Sequence, residues 1–265
     1  MSVDIIATPR SKAWLAHANP LAKLAAGLTL TLVLLISVDW VSASVALILE
    51  CAVLPLAGLS LRMLLLRGWP ILLAAIVGGY GTALLAPKTG ELIVAWGPII
   101  FTSDSIEAGI AIALRGMAIA LPGIIVLAST DPTDLADALA QKLRLPHRFV
   151  LGALAAMRLV GLLVAEWQTL GMARRARGVG GEPGLFRGLK AQLGQAMALL
   201  IQAVRRATRL AVTMEAKGFG AGPRTWARVS TYSRQDLWIV SGGVVMAAVS
   251  VSAAVVLGTW NPVFG

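Results

Sequence analysis

Five apolar runs dominate this sequence, and each is about as long as a bilayer is thick. They cover residues 21–38, 41–59, 69–86, 106–127 and 237–257. A helix needs about 20 mostly apolar residues to cross the hydrocarbon layer. Gly78, Gly79 and Gly81 in the third run favour close helix packing, and Trp238 and Trp260 flank the fifth where interfacial aromatics belong. Composition agrees: 57% of the 265 residues are apolar, 14% are charged, and mean hydropathy is +0.80. A soluble domain has about 45–50% apolar and about 25% charged residues. Disorder is excluded, because a disordered chain lacks buriable surface. An ordinary soluble enzyme is excluded too, because this much Leu, Ala, Val and Ile has no core to enter. The expected fold is an all-α integral membrane protein with about five transmembrane helices.

Charge gives the topology. Lys and Arg number 23 against 13 Asp and Glu, a net charge of +10 and a pI near 10.8. Such a pI raises the question of nucleic acid, but the apolar spans make membrane topology the better explanation, and no nucleic-acid partner is expected. Residues 129–236 carry 16 of the basic and 7 of the acidic residues. Basic residues gather on the cytoplasmic side of a membrane protein. Arg10, Lys12, Lys23, Arg62, Arg67 and the basic segment are therefore placed inside. Asp39, the loop 87–105 with Lys88, Glu91 and Asp104, and the uncharged tail 259–265 are placed outside. Lys88 is the one clear exception.

Three regions follow: a membrane domain over 1–128 with four spans, a cytosolic-side helical coupling region over 129–236, and a final span with its outer tail over 237–265. Asp131-Pro132 with Asp134 predicts a helix start, and Leu145-Pro146 its end. Two long helical patterns follow, from His147 to Arg177 and from Leu185 to Lys217. The stretch 149–165 is apolar but short, and Arg158 sits at its centre. Counting it as a span would put the basic cluster outside, so it is read as a helix buried in protein or lying at the membrane surface. Arg10 and Lys12 precede an apolar stretch, but a cleaved signal peptide is not expected: the polar lead is too long and hydrophobicity resumes at once.

Two short stretches in the basic segment echo each other. Ala176-Arg177-Gly178-Val179-Gly180 is matched by Ala216-Lys217-Gly218-Phe219-Gly220, after Met172 and Met214 respectively. Each lies at the end of a predicted helix. A Gly just past a helix end takes the left-handed conformation that closes it, and the basic side chain then projects from the last turn, where the helix dipole favours a cation. Two such knobs suit a cytosolic partner with two similar grooves. The alternative is two ordinary glycine caps, with Arg174, Arg175 and Arg177 held near anionic lipid.

At these residues the sequence resembles the transmembrane T component of energy-coupling-factor (ECF) transporters. Met172-Ala173-Arg174-Arg175-Ala176-Arg177-Gly178 and Met214-Glu215-Ala216-Lys217-Gly218-Phe219 are similar to that family's paired Ala-Arg-Gly motifs. His17-Ala18-Asn19-Pro20-Leu21-Ala22-Lys23-Leu24 resembles the start of its first span, and Thr130 with Asp134-Leu135-Ala136-Asp137-Ala138-Leu139 and Leu145-Pro146 resembles its pre-coupling segment. The resemblance implies a scaffold in an ABC-type importer of vitamins or transition-metal ions. It further implies partners: two ABC ATPase subunits, which bind the ATP and Mg, and a membrane-embedded S component that binds the substrate. Ala176, Arg177, Gly178, Ala216, Lys217 and Gly218 would dock the ATPases. Arg158, Glu166, Arg174, Arg175 and Glu215 would support the coupling region. Lys217 departs from the family's Arg and lacks its planar fork. The resemblance also implies a multi-pass location in the cell membrane, with the N-terminus and coupling region cytoplasmic.

The chain lacks the signatures of catalysis. A phosphate-cradling P-loop needs Gly-Lys before Ser or Thr, and no Gly-Lys dipeptide occurs. The Gly-rich stretch 178–184 is read as a loop between helices. Cys51 is the single cysteine, and His17 and His147 are the only histidines, so no internal disulfide, metal cluster or cofactor is expected. Asp131, Asp134 and Asp137 are spaced as helix-start charges rather than ligands. Glu50 and Arg115 fall at similar depth in two spans running the same way, so spacing predicts that they pair or pack against a partner; a substrate or proton pathway is the alternative. Arg158 and Glu166 share a helix side but are expected to bond elsewhere in the coupling region. Met197, Leu199, Leu200 and Ile201, ahead of Arg205, Arg206 and Arg209, predict a helix lying under the membrane or crossing the other long helix. Two other functional classes compete. The pore-forming permease of a conventional ABC importer would show one coupling loop rather than two knobs, and a membrane enzyme with a basic cytosolic face would need an interfacial acidic or His cluster.

Overall fold

The computed structural model describes residues 13–96, 99–178, 185–222, 225–226 and 228–261. Arg10, Lys12, the breakers Gly97 and Pro98, most of the Gly-rich loop (179–184) and the tail end 262–265 lie outside the described residues, as do the side chains of Arg62 and Arg67. The chain divides into two compact units. One takes in 10–138 and 230–265, and the other takes in 139–229.

The first unit is built on helices α1 (Pro20–Ile36), α2 (Trp40–Val53), α3 (Leu61–Leu85), α4 (Ser103–Ser129) and α8 (Arg234–Val256). Local chemistry sets their starts. Asn19 caps α1 by accepting from Leu21 N at 3.0 Å, with Pro20 at the first helical position. Asp39 caps α2 through Ser42 N at 2.6 Å. Thr102 and Ser105 form a reciprocal capping box that opens α4, and Ser233 with Asp236 does the same for α8.

The core of this unit is made of small and branched apolar residues. Leu30, Leu34, Ala46, Ala118 and Ala247 form one buried cluster, and Leu15, Leu54, Ala57, Leu64, Leu121 and Ile125 form another. Between α3 and α4 the backbones nearly touch. A Cβ placed on Gly79 would lie 2.6 Å from the Gly109 carbonyl oxygen, and one on Gly109 would lie 2.7 Å from that of Gly79. Close approach through small residues is how helices associate without a hydrophobic driving force.

The stretch 87–105, expected to be a loop, instead contains a hairpin. Strands β1 (Leu92–Trp96) and β2 (Ile99–Thr102) pair antiparallel, with Leu92 opposite Thr102 and an irregularity after Leu92. Ile93, Val94, Ile100 and Phe101 are β-formers, and of the breakers that suggested a loop, Pro87 and Gly90 precede β1.

Among the described residues, five helices are by length and composition apolar enough to cross a membrane: Trp40–Ala57, Gly68–Leu85, Ser103–Ser129, His147–Ala176 and Arg234–Val256. The count matches the expected five spans, but the set does not. Helix α1 has only 17 residues, about 26 Å at 1.5 Å per residue. Length and composition instead admit α6 (His147–Ala176), which contains the stretch 149–165, beside the shorter apolar α1. That stretch was expected to be buried in protein or to lie at the membrane surface. Within this chain only Leu154 of α6 is buried, while Phe149, Met157, Val160 and Leu162 are exposed.

The second unit is a pair of long helices, α6 and α7 (Leu185–Ala216). They run antiparallel. Near one end, Arg148 Nη2 donates to the Gly220 carbonyl at 2.7 Å and the His147 ring meets Phe219 edge-on. Towards the other, Gln195 Nε2 donates to Trp167 O at 2.7 Å, and Arg174 lies over Gly194. The short α5 (Pro132–Gln141) precedes the pair, with Asp131 accepting from Thr133 N at 2.7 Å.

Candidate functional site

Both long helices end in the same way. Arg177 N donates to Ala173 O at 3.3 Å and Gly178 N to Arg175 O at 2.9 Å. In the second helix Lys217 N donates to Thr213 O at 3.2 Å and Gly218 N to Glu215 O at 2.8 Å. The glycines have φ of +76° and +74°. A Cβ added to either would meet nothing within 4 Å. Conformation alone, not packing, therefore calls for glycine there.

These turns leave their cations free to act. Ala176, Arg177, Ala216 and Lys217 are exposed, and neither Arg177 nor Lys217 forms an ion pair among the described residues. Because the helices are antiparallel, the two tips stand at opposite ends of the pair. Arg174 lies beside Gly194 and Arg148 beside Gly220, so the Arg177 tip is level with the early part of α7 and the two tips are separated by about 40 Å at 1.5 Å per residue. The surface around Lys217 is concave, with Met214, Phe219, Gly220 and His147 lining it. The Nε2 of His147 is buried with no partner among the described residues.

The residues expected to support this region divide in two. Glu166 pairs with Arg206 across the helices, and Arg174 packs on α7 at Gly194. Arg158, Arg175 and Glu215 are exposed. Glu166 and Arg158 do not contact each other; Glu166 bonds within the coupling region as expected, whereas Arg158 makes no hydrogen bond or ion pair among the described residues. Asp131, Asp134 and Asp137 do not gather, and no group of three His, Cys, Asp or Glu side chains suited to a metal occurs among the described residues.

The expected pairing of Glu50 with Arg115 does not form. Arg115 Nε donates to Leu34 O at 3.0 Å and its Nη2 to Leu35 O at 2.6 Å. Those carbonyls belong to the last turn of α1, which has no intrahelical donors for them. Glu50 is 2% exposed, and neither of its carboxyl oxygens has a partner among the described residues.

A polar junction escaped the sequence reading. Asp236 accepts from Asn19 N at 2.7 Å and Ser233 N at 2.7 Å, while Asn19 Nδ2 donates to Thr231 O at 3.2 Å and Ser230 Oγ at 3.0 Å. Lys23 Nζ donates to Ser129 O at 2.8 Å. This junction ties the starts of α1 and α8 to the end of α4. The available signal was the spacing of Ser233 and Asp236, which is that of a capping box.

Comparison with known proteins gives the family. Residues 11–226 match the model of the CbiQ family, described as cobalt transport protein. An energy-coupling factor transporter transmembrane protein, EcfT 1, of Listeria monocytogenes is 28% identical over 81% of this chain and 84% of its own length. The EcfT of Lacticaseibacillus paracasei is 27% identical over 88% and 91%, and that of Brevibacillus brevis is 30% identical over 73% and 72%. With the apolar helices and the paired basic tips, these matches establish that the chain belongs to the CbiQ family of multi-pass membrane transport proteins, among the transmembrane T components of ECF transporters.

Proposed function

We propose that this chain is the mechanical coupler of an ECF-type importer: its two basic tips dock two cytosolic ABC ATPase subunits, and its membrane helices hold a substrate-binding S component. ATP and Mg are bound and ATP is hydrolysed on the partners, and this chain carries no catalytic group or cofactor of its own. The transported substrate belongs to the vitamins or transition-metal ions. The N-terminus and the coupling region, 129–236, face the cytoplasm.

One observation carries the reading. Two helix ends about 40 Å apart share one backbone solution, and each presents an exposed cation beside an exposed alanine. A cation held beside a small residue at a helix tip enters a groove and pairs with carboxylates or with the carbonyls of a helix C-terminus. Two tips fit two equivalent grooves of a dimeric motor. Arg177 makes the stronger contact, because guanidinium forms two parallel bonds where the Lys217 ammonium acts as a point charge.

Co-purification with the two ATPases tests this. Arg177→Glu and Lys217→Glu each weaken ATPase retention, Arg177→Glu more so, while the chain stays folded. Full retention in the double variant would remove the assignment of the tips.

A further inference from the structure

Glu50 borders a cavity of about 150 Å³ within the first unit. Leu30, Val53, Ile125, Ile239 and Met246 give it apolar walls. The only other charged residue on it is Lys23, whose ammonium already donates to the Ser129 carbonyl. Trp14 and Leu56 also line it and are 42% and 48% exposed, so the cavity reaches the surface there. The carboxyl group has no partner among the described residues and only 2% of the residue is exposed.

Such a carboxyl is expensive to leave bare: an unsatisfied buried polar group costs about 1–3 kcal/mol, and more when charged. A volume of this size takes roughly five waters. Among the described residues, waters there would meet charged groups at Glu50 and Lys23 only, with mostly hydrocarbon on the remaining sides. An ammonium suits the oxygens better. It has three donors and can bond both at once, whereas a hydroxyl has one. A short hydrocarbon chain attached to that ammonium would fill the apolar remainder.

We propose that Glu50 and this cavity form a binding site for a primary alkylammonium group, whether from a free amine or from the amine of a lipid headgroup. The Glu50 carboxylate holds the nitrogen, and the walls hold the chain. The site is separate from the helix tips and does not depend on them.

Calorimetric titration of the full chain in phosphatidylcholine nanodiscs tests the proposal, with hexylamine, hexanol and hexanoate as probes. Hexylamine binds saturably, about tenfold more tightly than hexanol, and hexanoate shows no saturable binding. Glu50→Gln abolishes the preference for the amine. Gly242→Leu, at a lining position where an added Cβ meets nothing within 4 Å, fills the space and weakens both amine and alcohol. In phosphatidylethanolamine nanodiscs, a weaker apparent affinity for hexylamine identifies the lipid amine as the occupant, and an unchanged one identifies a free amine. Equal affinity for hexylamine and hexanol in the unaltered chain overturns the proposal without any variant having to fold. Hexylamine binding left intact by Glu50→Gln overturns it as well.

Discussion

The two units of this chain solve opposite problems. The membrane-helix unit is bonded largely within itself, with the Glu50 carboxyl left bare among the described residues. Its helices touch through Gly79 and Gly109, the starts of α1, α2, α4 and α8 are capped, and the charges of Lys23, Arg115 and Asp236 all meet partners in the same unit. The α6–α7 pair is unfinished. One residue of α6 is buried, the two helices meet through a few polar contacts, and Leu189, Leu193, Met197, Leu200, Ile201 and Val204 lie exposed along α7. The first unit joins its helices closely to one another, and the second leaves most of both its helices uncovered within the chain.

Substitutions of graded size break or sharpen this contrast. The largest effect belongs to Gly109→Val, which forces side-chain atoms into the α3 backbone; thermal unfolding in detergent should show a loss of about 3 kcal/mol. Next comes Asp236→Ala, which strips acceptors from Asn19 N and Ser233 N and should lower stability by about 2 kcal/mol in the same assay. Arg206→Ala removes a partly exposed ion pair and should cost about 1 kcal/mol or less, yet it should loosen the hairpin measurably in hydrogen exchange of α6. The smallest effect on stability falls at Arg177→Glu and Lys217→Glu. Both positions are exposed and unpaired among the described residues, so unfolding should shift by about 0.5 kcal/mol at most while ATPase retention falls. A stability loss at the tips equal to that at Gly109 would erase the contrast.

Much of this was legible in the sequence, for a local reason. Gly178 and Gly218 mark helix ends because a positive φ is a property of one residue and its immediate neighbours, and Asp131 marks a helix start in the same way. What required the three-dimensional fold was less legible. Arg115 was matched to Glu50 by counting residues along two spans, but an orphaned carbonyl pair at the end of α1 competes for the same guanidinium. The Asn19–Asp236 contact joins residues at opposite ends of the chain, and no local pattern records it. The β1–β2 hairpin was hidden by the breakers Pro87, Gly90, Gly97 and Pro98, which mark a hairpin's ends and turn as readily as a loop. For α6, the sequence left cover by protein and the membrane surface open as alternatives, and within this chain that apolar surface is exposed.

The docking of the tips is the central claim, and site-specific photocrosslinking tests it most directly. Photoreactive residues at 177, at 217 and at the exposed mid-helix position 200 would be placed in the chain assembled with its ATPases. Adducts with an ATPase from 177 and from 217, and none from 200, are the predicted result. ATPase adducts that are absent from both tips, or that form equally well from 200, would contradict it.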